Sequence, residues 1–78
     1  MNYKISGIVP KQYENEIAGG DVEPLITVKR KSKAFGIAKK ESENLKWWEV
    51  QIKAYDDEYE LQGHWYFKNG KLTDVMSI

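Results

Sequence analysis

The sequence predicts a small α+β domain. It should contain an antiparallel sheet of about five strands, in the chain order β-β-α-β-β-β, with one helix packed on one face. Apolar and polar residues alternate over several short runs, which is typical of strands that bury one face. After the second run, residues 33–44 combine helical apolar spacing with a high content of Ala, Lys and Glu. Together the two patterns favour one sheet with a helix inserted after its second strand.

Length and composition set the limits of this domain. The chain has 78 residues, enough for a single domain (residues 1–78) with a modest core, and its three Trp, five Tyr and two Phe supply large apolar groups. It has no cysteine, so no disulfide or thiolate metal site can reinforce the fold. Because it has no apolar run of membrane-spanning length and no signal-like N-terminus, we expect a cytoplasmic protein without a membrane segment.

The first strand is predicted over residues 3–9, where apolar side chains recur with a period of two. Pro10 is expected to end it, because proline has no N–H to donate to a ladder. Residues 11–21 are then expected to form a polar connection, closing with a glycine-rich turn at residues 19–21.

The second strand is predicted over residues 22–31, which again alternate apolar and polar side chains. Pro24 within this run either places the strand at an edge of the sheet or delays its start to Leu25.

The helix is predicted over residues 33–44, with Ser32 as its N-cap. Four apolar side chains fall roughly on one face of this helix: Ala34, Ile37, Ala38 and Leu45. Gly36 weakens the helical pattern. The alternative is a further strand over residues 34–39, paired with the second strand, which would make the chain a small all-β barrel.

The C-terminal part contains three strand-like runs, residues 46–55, 59–68 and 71–78. Asn69-Gly70 between the last two is typical of a type I′ hairpin turn, whose central residues both need positive φ. A two-residue loop there sets five opposed pairs: Lys68–Lys71, Phe67–Leu72, Trp65–Asp74, Gly63–Met76 and Leu61–Ile78. The apolar partners fall on one face, which supports the register.

For the preceding hairpin, we expect a four-residue loop over residues 55–58. That loop sets four opposed pairs: Ala54–Tyr59, Ile52–Leu61, Val50–Gly63 and Trp48–Trp65. Gly63 is expected to make room for the helix or for an indole ring.

The two registers divide the aromatic residues between the faces of the sheet. Trp48, Trp65 and Phe67 are predicted core residues. On the opposite face, four side chains come together: Trp47 beside Tyr66, and Glu49 beside His64. This second set is the predicted partner-binding site, unless the N-terminal segment folds over it, because Trp and Tyr dominate interaction hot spots.

No residue pattern supports catalysis, a cofactor or a metal. The chain has one His and no Cys. Its carboxylate cluster at residues 56–60 lacks the spaced alternation and glycine of a calcium loop and is interpreted as a solvated hairpin loop. Glu49 beside His64 is interpreted as an exposed cross-strand pair rather than a catalytic dyad. No nucleotide-binding fingerprint is present.

A basic stretch supports an alternative function. Half of the positive charge lies between residues 29 and 40, on six residues: Lys29, Arg30, Lys31, Lys33, Lys39 and Lys40. Such a stretch contacts nucleic acid in some proteins and is a solvated surface in most. The net charge of zero and the presence of only Phe35 among these lysines disfavour a stacking groove for nucleic acid.

The sequence therefore favours a small non-enzymatic protein-binding module. Inhibitors and adaptors of this size occur among accessory proteins of phages and mobile elements, which makes that role our functional hypothesis. Nucleic-acid binding through the basic stretch is the alternative. The chain is expected to be a monomer, or a homodimer formed through a free edge at residues 71–78.

Overall fold

The computed structural model of the chain describes residues 1–76. The elements are β1 (Asn2–Tyr13), β2 (Glu16–Val28), α1 (Lys31–Glu41), β3 (Glu49–Tyr55), β4 (Leu61–Lys68) and β5 (Lys71–Met76). The strands form one open antiparallel sheet in the order β2-β1-β3-β4-β5. This confirms the predicted α+β fold and element order, and the helix with the open sheet rules out the all-β barrel.

The strand β1 lies second in the sheet and pairs with β2 on one side and β3 on the other. The chain passes from β2 on one side of β1 to β3 on the other side through α1. The helix packs against the sheet and allows β3 to return antiparallel to β1. Ile5 of β1 is 1% exposed and lies opposite Ile52 of β3. The centre of the sheet therefore pairs β1, which precedes the helix crossover, with β3, which follows it.

The predicted end of β1 is wrong, because the strand continues through Pro10 to Tyr13 and β2 already begins at Glu16. The predicted connection over residues 11–21 is instead a hairpin that turns at Glu14, which has a φ of 52°. Pro10 is tolerated because β3 pairs with β1 only as far as Ile8, so the missing N–H falls on a free edge. We call residues 10–19, which pair only with each other, the hairpin arm.

The strand β2 forms an edge of the sheet, as Pro24 predicts. Pro24 lies opposite Ser6, next to a shift in the β1–β2 register. The predicted end of this strand at residue 31 is wrong, since β2 ends at Val28 and α1 begins at Lys31.

The helix α1 is shifted from its predicted bounds. Its N-cap is Arg30, which has extended backbone and no side-chain cap bond, so the prediction of Ser32 as N-cap is wrong. Ala34 and Ala38 are fully buried, as predicted. Leu45 lies beyond the helix and is 90% exposed, so its predicted place on the apolar face is wrong.

Ser42 fastens the end of the helix to the sheet. Its hydroxyl donates to the Lys39 carbonyl at 2.8 Å and accepts the Gly70 N–H at 2.9 Å. The Ser42 carbonyl also accepts the Asn69 N–H. One buried hydroxyl therefore joins the last turn of α1 to the β4–β5 turn.

The core lies between α1 and the sheet. Its buried members are Ile5, Val28, Ala34, Ala38, Trp47, Val50, Ile52 and Phe67. Phe35 meets both Trp65 and Phe67 edge to face, with ring centroids 5.2 Å apart in each pair. Gly63 is buried beneath the Trp65 indole, which confirms the expectation that it makes room for a ring.

The β4–β5 hairpin starts in the predicted register and then shifts. Lys68–Lys71 and Phe67–Leu72 pair as predicted. A bulge then leaves Thr73 between positions, so the structure pairs Tyr66–Asp74 and His64–Met76 where Trp65–Asp74 and Gly63–Met76 were predicted. The remaining predicted pair involves Ile78, which lies outside the described residues.

The predicted β3–β4 register is also wrong. Val50 pairs with Phe67 and Ile52 with Trp65, in place of Gly63 and Leu61. Each residue of β3 gains a partner four positions later than predicted, and an even displacement leaves every side chain on its predicted face. The loop follows Tyr55 and is closed by Asp56, whose carboxylate accepts N–H groups of Glu58 and Glu60.

Candidate functional site

The face of the sheet opposite α1 is the candidate site, and we call it the open face. No helix or strand of residues 1–76 packs over it. Strand alternation and the pairing place these side chains on it: Asn2, Lys4, Ser6, Ile8, Glu49, Gln51, Lys53, Tyr55, His64, Tyr66, Lys68, Lys71, Asp74 and Met76. It is a mixed surface in which aromatic and charged groups alternate.

The predicted faces of Trp47 and Trp48 are exchanged. Trp47 is 7% exposed, stacks on Gly7 and directs its Nε1–H toward Glu41 Oε1 at 3.4 Å. The prediction that Trp47 lies on the binding face is therefore wrong, as is the prediction that Trp48 lies in the core. The reason is local: β3 begins at Glu49, so strand alternation does not extend to the two Trp residues before it.

Trp48 lies at the border of the open face and is half-buried. Its N–H donates to the Ile8 carbonyl at 2.6 Å, and its ring lies against Gly19 of β2. Lys68 Nζ is 3.4 Å from the centroid of the Trp48 ring, a close cation–π contact. The indole is thus held between the hairpin arm and β4.

The other three residues predicted for partner binding do lie on the open face. His64 and Tyr66 are half-buried, with ring centroids 4.6 Å apart. The predicted pair of Glu49 with His64 does not form, because the β3–β4 register places Lys53 opposite His64. His64 Nε2 lies 3.0 Å from Gln51 Oε1 instead.

Glu49 is engaged by the bulge residue of β5. The Thr73 hydroxyl lies 3.1 Å from Glu49 Oε2 and 3.2 Å from the Tyr66 carbonyl, so it donates to one of the two at a time. A shallow depression of about 380 Å³ opens at this point, lined by Ile8, Gly19, Trp48, Glu49, Tyr66, Asp74 and Met76. Trp48 and Tyr66 therefore line the same concave surface.

Charged neighbours of both signs act on Tyr66 and His64, two titratable rings of the open face. Burial, Glu49 and Asp74 all raise the pKa of the Tyr66 hydroxyl, because each disfavours a phenolate there. Burial and the Lys53 ammonium lower the pKa of His64, against an opposing effect of Asp74. Carboxylates therefore act on Tyr66, whereas the Lys53 ammonium acts on His64, and we call the end of the face at Lys4 and Lys53 its positive end.

Sequence reasoning missed a second concave site, at the positive end of the open face. Lys4 of β1 lies directly opposite Lys53 of β3. A cavity of about 390 Å³ beside them is lined by Asn2, Lys4, Thr27, Tyr55 and Tyr59. Alternation alone places Lys4 on the polar face of its strand, but pairing it with Lys53 requires the β1–β3 contact across the helix crossover.

The basic stretch is divided by the fold. Lys29, Arg30 and Lys33 line a hollow of about 380 Å³ at the start of α1, together with Thr27 and Val28. Lys31 lies over the rings of Phe35 and Trp65, 5.4 and 5.1 Å from their centroids. Lys39 and Lys40 lie in the last turn of α1, about 10 Å along the axis from Lys33, where cations stabilise the helix dipole.

Residues 1–76 contain no group of three His, Asp or Glu side chains placed to hold a metal ion. The Asp56 carboxylate serves its own loop, since hydrogen bonds from the N–H groups of Glu60 and Glu58 lower its pKa. In the same residues, no helix combines the length and apolar character needed to cross a membrane.

Comparison of the chain with protein-family models, with curated proteins and with solved structures finds no match. The fold and the site define the chain as a small α+β domain with an uncovered aromatic sheet face. The geometry of that face is therefore the basis for a functional proposal.

Proposed function

We propose that this protein is a non-enzymatic protein-binding module that occupies a partner's surface with its open face, around Trp48 and Tyr66. One observation carries the proposal: no element of residues 1–76 covers this face of the sheet, and two large aromatic residues line a depression in it. Trp and Tyr in such positions supply most of the binding energy at protein interfaces.

The side chains of this face are already held in place. Lys68 packs on Trp48, Thr73 donates toward Glu49, and His64 is bonded to Gln51. Gln51 is 7% exposed, which is unusual for a glutamine and shows that the polar network is packed rather than solvated. Ordered side chains lose little entropy on association, so a prearranged face favours binding.

The contacts of the two titratable candidates support binding rather than catalysis. His64 is bonded to a neutral amide and lies beside the Tyr66 ring. Glu49 is bonded to a threonine hydroxyl rather than to His64. Neither contact activates a nucleophile, whereas both fix the shape of the face. A domain of this kind acts by covering another protein, as inhibitors and adaptors do, and the phage or mobile-element role fits that action.

Nucleic-acid binding remains the second candidate, because Lys29, Arg30 and Lys33 share one hollow at the start of α1. Lys39 and Lys40 lie about 10 Å further along α1, so the stretch offers two small patches rather than one groove. Binding there would weaken steeply with salt and would be lost on charge reversal of the three hollow residues.

The test is capture of partners by the immobilised protein from a lysate of the native host, with and without nuclease treatment. We expect one protein retained by the wild type and by Tyr13→Ala, an exposed aromatic on the hairpin arm that serves as matched control. Trp48→Ala and Tyr66→Ala should each lose it while keeping the wild-type circular dichroism spectrum. Equal retention by both variants would contradict the proposal, and loss on nuclease treatment would favour nucleic acid.

A further inference from the structure

We propose that the positive end of the open face is an anion-binding subsite, in which Lys4 and Lys53 receive an acidic side chain of the protein partner. The inference rests on the proposed function, because it specifies what the partner presents beside the surface that meets Trp48 and Tyr66. It concerns the cavity lined by Asn2, Lys4, Thr27, Tyr55 and Tyr59.

Two like charges face each other at the positive end of the open face. Lys4 and Lys53 are directly opposed on adjacent strands, an arrangement that destabilises a sheet. Their neighbours on the same face along the two strands are uncharged: Asn2 and Ser6 on β1, Gln51 and Tyr55 on β3. His64, the next residue across the sheet, has its pKa lowered in part by Lys53. An anion bound here would relieve this repulsion.

The cavity has a size and a lining that suit an acidic side chain. Lys4 Nζ lies 5.7 Å from the centroid of the Tyr55 ring, at the wall of the cavity. Lys29 Nζ donates to Asn2 Oδ1 and brings a third ammonium group to its border. Tyr59 is 83% exposed and forms the opposite wall. A volume of about 390 Å³ is at the small end of ligand pockets and suits one or two side chains.

The surrounding charges select a short anionic group. On one side the loop that carries Tyr59 has acidic residues, Asp56, Asp57, Glu58 and Glu60. On the other side Glu49 lies four residues from Lys53 along β3, about 13 Å away. A nucleic-acid strand crossing the cavity would meet like charge in both directions within about 1–2 Debye lengths.

The charges also disfavour a second copy of this chain. The open face carries more lysines than carboxylates: Lys4, Lys53, Lys68 and Lys71 against Glu49 and Asp74. Two such faces would repel each other, whereas an acidic segment of another protein complements the Lys4–Lys53 end and leaves Glu49 and Asp74 to basic groups of the partner.

The experiment is a titration of the ¹⁵N-labelled protein with an acetylated, amidated tetraglutamate peptide at low ionic strength, followed by amide chemical shifts. We expect shifts centred on Asn2, Lys4, Thr27 and Tyr55. The double variant Lys4→Ala/Lys53→Ala should weaken binding at least fivefold. The matched control Lys39→Ala/Lys40→Ala, which removes two neighbouring lysines from the helix end, should change it less than twofold.

A second measurement distinguishes loss of the subsite from loss of folding. The single variant Lys4→Glu replaces a like pair by an opposite pair, so its melting temperature should rise by about 2–4 °C while peptide binding is lost. Loss of binding in a more stable protein cannot arise from unfolding. An unchanged or lowered melting temperature together with retained binding would overturn the inference.

Two comparison ligands and a protein concentration series decide among the other occupants. Tighter binding of tripolyphosphate at the same amides would assign the cavity to phosphate, and tighter binding of a twelve-nucleotide oligothymidylate would assign it to nucleic acid. Shifts of the same amides on raising the protein concentration would assign it to a second copy. Each result overturns the carboxylate assignment. Because no captured partner is used, the titration fails or succeeds independently of the tests of Trp48 and Tyr66.

Discussion

The exchange of the two adjacent Trp residues between the faces leads to a large predicted difference in their contributions to stability. Trp47 is 7% exposed and belongs to the core cluster, where it stacks on Gly7 beneath the helix end. Truncation of a core Trp to alanine costs about 3–5 kcal/mol, from lost burial and the remaining cavity. A 78-residue domain has a total stability of about 4–12 kcal/mol, so Trp47→Ala should remove a large part of it.

Trp48→Ala should cost much less. Trp48 is half-buried, and its cation–π contact with Lys68 contributes about 0.5–1 kcal/mol. With the loss of partial burial, we expect about 1–2 kcal/mol in all. The two truncations remove the same atoms from adjacent positions, so any difference reports the packing around each ring.

The assay is urea unfolding followed by far-ultraviolet circular dichroism, because both substitutions alter Trp fluorescence directly. We expect the urea midpoint of Trp47→Ala to fall well below that of Trp48→Ala, with unchanged slopes. An equal or greater loss in Trp48→Ala would show that Trp48 is the core residue. That result would refute the packing described here and remove Trp48 from the proposed binding surface.

Further predictions follow from other contacts. Gly7→Ala should destabilise the protein by about 1–3 kcal/mol, because an added Cβ would overlap the Trp47 ring. Gly36→Ala should stabilise it by about 0.8–1 kcal/mol, because a Cβ there meets nothing within 4 Å. If the packing is right, thermal melts should show a lower melting temperature for Gly7→Ala and a higher one for Gly36→Ala. Ser42→Ala leaves the Gly70 N–H without its acceptor and should cost about 1–2 kcal/mol in urea unfolding, with a cost near zero excluding a structural role for this bond. The pKa of His64 is lowered in the folded state, so below the ordinary histidine pKa of about 6.5 the unfolded state binds more protons than the folded state. This contribution to stability should be fully present above that pH and should be lost as the pH falls through the folded-state pKa of His64. His64→Gln should flatten the dependence in thermal melts between pH 8 and 5.

The sequence was informative wherever the determining contacts are local. Alternation assigned the faces of β3 and β4 even though their predicted register was displaced, because the displacement is even. The turn at Asn69-Gly70 fixed the first two pairs of the last hairpin, until the bulge at Thr73 shifted the rest. Such a bulge has no sequence signal of its own here, since Thr73 suits a regular strand equally well.

The wrong predictions depend on contacts between segments that are distant in the sequence. A proline such as Pro10 ends a strand when both of the strand's edges are hydrogen-bonded to neighbours. Beyond Ile8 one edge of β1 is free, and that depends on where β3 begins. Trp47 and Trp48 lie on the faces opposite to those predicted, because the chain turns just before Glu49, where the Trp47 N–H donates to the Asn44 carbonyl. For the binding site, three of the four predicted residues share the open face, but the opposition of Lys4 and Lys53 arises only from the β1–β3 pairing.

The hairpin arm has a dynamic consequence of its own. Its strands pair only with each other from Pro10–Gly19 to Tyr13–Glu16, and two-stranded ribbons are marginally stable in water. Its amide protons should therefore exchange with solvent orders of magnitude faster than those of Ile5 or Ile52, through local openings that leave the sheet intact. Trypsin should cut the native protein first after Lys11, and the nicked chain should keep its cooperative melt, because the strand pairs that enclose the core, such as Ile5–Ile26 and Ile5–Ile52, lie outside the hairpin arm.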